Sequence, residues 1–137
     1  MHYPDLAPCE YFQGHPALAA AELVAVGWLE PGYPFARGQP DLALVETLVK
    51  LFGSYGRSFF AGGHACGLCL EAAGGPAAPA KALRNLPMGY KDLFLAIPNR
   101  AAFFAVPELI THYIAFHGYQ PPEGLREALT WRPPVEL

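Results

Sequence analysis

The chain is 137 residues long, 53% apolar and only 15% charged, with a formal net charge of -3. That balance excludes an intrinsically disordered chain, and nine basic against twelve acidic residues, with no basic cluster, disfavour a nucleic-acid binder. The length suits one domain over 1–137, and the low charge leaves enough apolar surface to imply a protein partner or a homodimer.

In chain order, residues 1–16 hold Pro4, Pro8, Gly14 and Pro16 and read as an irregular, packed arm, with Tyr3, Tyr11 and Phe12 laid across the domain surface. The first positive side chain is Arg37, and the early apolar run from Ala17 to Leu29 is short and carries Glu22. The expectation is a cytoplasmic, soluble chain with no membrane span. Leu23 to Leu29 is β-prone and stops at Pro31-Gly32. Pro40 at a first helical position, Asp41 in the first turn and apolar residues from Leu42 to Phe52 before Gly53 predict an amphipathic helix, with Glu46 and Lys50 paired on its wet face.

Arg57 to Ala61 reads as a short strand leading into Gly62-Gly63 and a cysteine turn. Residues 72–82, rich in Ala, Gly and Pro, read as a flexible connector. Lys91 to Ile97 and Ala101 to Val106 predict a β-hairpin in which Asn99 takes a positive φ. Pro107 then opens a second helix, Glu108 to His117, stopped by Gly118, and a last short helix spans Pro122 to Trp131. The fold class is α+β: a small antiparallel sheet packed with two or three helices and stapled by zinc.

The staple follows from His64, Cys66 and Cys69, which place three soft donors within six residues of a chain that has three cysteines in all. Two thiolates two residues apart reach one ion from a single turn, and Gly67 at the bend eases that turn. His112 and His117 on the second helix supply an imidazole pair, so a tetrahedral Zn²⁺ shell has donors to spare. Forty-two residues separate Cys69 from His112, so the pairs meet only through tertiary folding. Five residues at about 100° each set His112 and His117 roughly 140° apart on an ideal helix, so both bind only if the last turn loosens. The tetrad Cys66, Cys69, His112 and His117 therefore ranks slightly ahead of His64, Cys66, Cys69 and His112. Each histidine has a plainer role open to it, as a core group or a helix cap. His2 and His15 fall in the arm, and Cys9 reads as a small packing residue.

A closed shell makes zinc a scaffold, whereas a catalytic ion keeps an open water position with a carboxylate in reach, for which Glu71 and Glu108 are the nearest in sequence. The expected role is an interaction or regulatory module, with Tyr113, Tyr119, Trp28 and Trp131 as contact candidates, although core packing is the favoured reading of these aromatics. The competing class is an enzyme, either a zinc-dependent hydrolase or a dithiol oxidoreductase using Cys66-Gly67-Leu68-Cys69. A cytidine-deaminase site does not fit, because His64 precedes the cysteines with no glutamate between.

Gly63-His64-x-Cys66-x-x-Cys69, together with Leu109-Ile110-x-His112-Tyr113-Ile114-x-x-His117-Gly118-Tyr119-x-Pro121-Pro122, resembles a family of small uncharacterised bacterial proteins. Val26-Gly27-Trp28-Leu29 and Pro34-Phe35-x-Arg37-Gly38 are similar too. The resemblance implies a bacterial, cytoplasmic domain with a metal site and no assigned activity. It does not extend to Cys9 or to residues 72–82.

Overall fold

Three short, almost wholly apolar strands build the centre of the molecule. The computed structural model describes residues 1–16, 18, 20–59 and 62–131. Strand β1 (Leu23–Ala25) runs parallel to β5 (Phe103–Pro107), which pairs antiparallel with β4 (Asp92–Ala96), giving the order β1-β5-β4. Val24, Leu93, Leu95, Phe104 and Val106 face one side of this sheet. Leu23, Ala25, Phe94 and Ala105 face the other. Because both faces are buried, the strands read in sequence as continuous apolar runs rather than alternating ones.

The first face is covered by α1 (Leu42–Tyr55), α4 (Ile110–His117) and α5 (Glu123–Trp131), through Leu44, Leu48, Phe52, Ile110, Ile114 and Leu125. The second face is covered by the N-terminal arm, whose Cys9, Phe12 and Leu18 pack against Trp28 and Phe94. The arm is held by backbone bonds from Leu6 and Cys9 to Ala25 and Leu23, and by Asp5, which accepts hydrogen bonds from Gly27 N–H at 3.0 Å and from Tyr119 O–H at 2.7 Å. Cys9 is a buried packing residue.

The fold is α+β. Its main sheet is mixed rather than antiparallel, because β1 joins β5 in the parallel sense. Strand β1 ends earlier than Leu29 because Gly27 takes φ +83°, and a Cβ there would lie 2.9 Å from the Ile110 side chain. Asp41 caps α1 by accepting from Leu44 N–H, so Pro40 lies outside the helix, and Gly53 sits within it while Gly56 ends it. Arg57 forms only an isolated bridge to Asp92 in place of a strand, and Phe60 and Ala61 lie outside the described residues. The stretch read as a connector carries the end of α2 (Gly67–Ala73), a 3₁₀ turn at Gly75–Ala77 and the start of α3 (Ala80–Arg84). The hairpin forms with Asn99 at φ 60°. Pro107 ends β5 instead of opening a helix, and the Glu108 carboxylate accepts from Tyr90 N–H and Lys91 N–H.

Asp92 gives a pH-dependent prediction. Burial first, and then the nearby Glu108 carboxylate, push its pKa up to about 7. The folded state therefore holds a proton that the unfolded chain releases near pH 4, so stability falls as pH rises from about 4 to about 7. Asp92→Asn removes this cost: its melting temperature should exceed the parent's at pH 8, with the gap closing toward pH 5. A gap independent of pH would contradict this.

Candidate metal centre

Two short elements deliver the cysteines. Strand β2 (His64–Ala65) pairs antiparallel with β3 (Met88–Gly89), and Cys66 N–H donates to Pro87 O at 2.9 Å, fixing the chain just where it enters α2. Cys66 is the N-cap of α2, and its Sγ accepts from Cys69 N–H at 3.4 Å. That bond orients one sulfur and folds the other beside it. Gly67 matters by its size: a Cβ there would meet Pro31 Cδ at 3.0 Å, and its φ is not left-handed.

The imidazoles come from the last turn and a half of α4. His117 is the final helical residue, and Gly118 follows at φ +66°, its N–H bonded to Tyr113 O. This wider closing turn, five residues back rather than four, is the loosening that the 140° separation requires. A side chain at 118 would also strike Gly38 O at 2.8 Å, because the loop carrying Arg37 and Gly38 packs across the helix end.

The four side chains converge. One donor atom each from Cys66, Cys69, His112 and His117 lies within 4.8 Å of all the others. Cys69 Sγ is 3.3 Å from His112 Nε2 and 3.5 Å from His117 Nε2, Cys66 Sγ is 3.5 Å from His117 Nε2, and the two Nε2 atoms are 3.1 Å apart. A tetrahedron with Zn–N of about 2.0–2.1 Å and Zn–S of about 2.3 Å has edges of roughly 3.3–3.8 Å, so these four of the six edges match an N₂S₂ shell to within a few tenths of an ångström. Cys66 is fully buried and the other three are half-buried.

Electrostatics favours the ligand forms of the imidazoles. Burial, and then His117, lowers the His112 pKa, while burial, and then Arg37, lowers that of His117, so both rings are biased toward neutral. Burial, and then the neighbouring Cys66, push the Cys69 thiol up to about 11, so near neutral pH a cation binding there displaces its proton.

His64 stands apart from this group. It is exposed, and its Nε2 lies 2.8 Å from Tyr11 O–H, tying β2 to the arm. Trp28, Tyr113 and Tyr119 are buried in the core, and Trp131 is 44% exposed. The sequence reading missed Arg37, whose charge reaches His117, and the Tyr11–His64 link; the only signal for the first was the Pro34-Phe35-x-Arg37-Gly38 stretch. No described helix is long and apolar enough to cross a membrane.

No curated protein and no solved structure matches the chain. A family model described as a domain of unknown function, DUF7919, matches residues 1–130, and the chain belongs to that family.

Proposed function

We propose that the protein is a zinc-stapled interaction module in which one Zn²⁺, held by Cys66, Cys69, His112 and His117, fixes a surface for another protein. The reading rests on the convergence of four donors within 4.8 Å. Two thiolates with two neutral imidazoles favour Zn²⁺ over harder cations such as Mg²⁺ and Ca²⁺. With every corner taken by a side chain, the shell has no position for a reacting water, which supports a scaffold over a hydrolase. When bound, the ion supplies a cross-link between α2 and α4; the rest is done by the chain.

The surface so fixed includes Phe116, 79% exposed beside the His112 ring at a centroid distance of 5.0 Å. An apolar ring left in water next to a rigid centre suits a contact residue. If a second copy is the partner, sedimentation velocity at rising concentration shows a monomer–dimer equilibrium that Phe116→Ser shifts to monomer without loss of zinc. A monomer at every concentration would contradict self-association through Phe116.

Metal analysis of purified variants tests the shell itself. His117→Ala should lose most of its zinc, while His64→Ala should keep one equivalent and change its melting temperature only slightly. The reverse pattern would transfer the fourth position to His64.

A further inference from the structure

No residue from 67 to 88 is buried, although the stretch holds α2, the 3₁₀ turn, α3 and the first residue of β3. Its two ends meet at a neck made by the pairing of β2 with β3 and by the Cys66 N–H bond to Pro87 O. Leu68 and Cys69 rest half-buried against the core, and the cysteine sulfurs lie 3.3–3.5 Å from the imidazoles of α4. A segment with so little burial follows its anchor, because few apolar contacts oppose its local opening. Both sulfurs of that anchor come from one Cys-x-x-Cys turn, a spacing that an intramolecular disulfide also closes.

We propose that Cys66 and Cys69 are a redox release for the staple: a hydroperoxide joins them in a disulfide, the zinc is lost, and residues 67–88 come free of α4. This rests on the zinc reading above. Cys69 is the sulfur nearer to solvent, since Cys66 is fully buried, and in the loaded shell it is a thiolate, the nucleophilic form. Its sulfur attacks one peroxide oxygen, the O–O bond breaks, and Cys69 becomes a sulfenic acid as the other oxygen leaves. Cys66 then attacks that sulfur, forming the S–S bond and expelling hydroxide. With hydrogen peroxide, the two thiolates give up two electrons, the peroxide takes them, and two protons from solvent complete two waters. Neither disulfide sulfur keeps the negative charge that bound Zn²⁺, and the two imidazoles alone are half a shell. The third thiol does not compete: Cys9 lies on the opposite sheet face, where burial pushes its pKa up to about 12.

Zinc-loaded protein is treated with hydrogen peroxide beside a chromogenic zinc chelator that leaves the untreated protein loaded, and the products are mapped by mass spectrometry. The expected result is one ion released for each Cys66–Cys69 disulfide, a loss of two hydrogens in the intact mass, and faster tryptic cleavage after Lys81 and Arg84. Dithiothreitol with added zinc should restore the ion and the original cleavage rate. Zinc retained under peroxide that fully oxidises free cysteine in a parallel sample overturns the release and leaves the tetrad standing. So does oxidation that stops at irreversible sulfinic acid, or a disulfide that recruits Cys9. Zinc release with unchanged cleavage at Lys81 and Arg84 overturns the freeing of residues 67–88. Protein that holds no zinc before peroxide is added counts against the tetrad itself.

Discussion

Cys66→Ser is expected to purify without zinc and to lose its cooperative thermal transition. Structural zinc contributes about 10–16 kcal/mol in small domains, as much as or more than the roughly 5–15 kcal/mol by which a domain is stable. The substitution is selective. Serine keeps an N-cap acceptor for Cys69 N–H and nearly the same volume, so capping of α2 survives and the metal contact does not. Cys66 Sγ is buried with no exposure, so nothing outside the shell can replace it. Near-native melting without metal would show that the core folds unaided; circular dichroism melts with metal analysis on the same material decide the matter. Chelation of the parent protein should give the same loss, reversed by added zinc.

Phe12→Ala is the second large effect, at about 3–5 kcal/mol in a urea titration. Phe12 has no exposed surface and stands edge-on to Trp28, Phe59 and Phe94, with ring centroids at 6.0, 6.2 and 5.2 Å. Its removal leaves a cavity on the sheet face opposite the helices, which the arm covers together with Leu18, Trp28 and Phe59. The arm is thus a structural layer. A cost below about 1 kcal/mol, the size of a surface change, would mean the arm is dispensable.

These two predictions mark what was and was not legible in the sequence. Chemistry was readable where residue type is decisive: a Cys-x-x-Cys turn and two helix histidines meet whatever the intervening route, and Asn99 announces a hairpin because it tolerates the left-handed φ of 60°. The α1 pattern was readable because Leu44, Leu48 and Phe52 repeat every four residues. Less legible were features set by tertiary approach. Nothing local to Gly27 says that Ile110 lies against it, so the end of β1 was misplaced. His64 had the right donor and the right spacing, but the pairing of β2 with β3 turns it toward Tyr11. Residues 72–82 looked like a connector by composition, yet Gly74 at φ 114° ends α2 by accepting the left-handed cap, and Pro79 is the N-cap of α3. Aromatics among proline and glycine in residues 1–16 announced a packed arm, and the sheet's second buried face is what they pack on, which no local pattern names.

X-ray absorption at the zinc edge of the purified protein tests the central claim most directly. The account predicts a four-coordinate first shell of two sulfurs near about 2.3 Å and two imidazole nitrogens near about 2.0 Å. A shell with fewer than two sulfurs, or with a solvent oxygen in place of one imidazole, would contradict it.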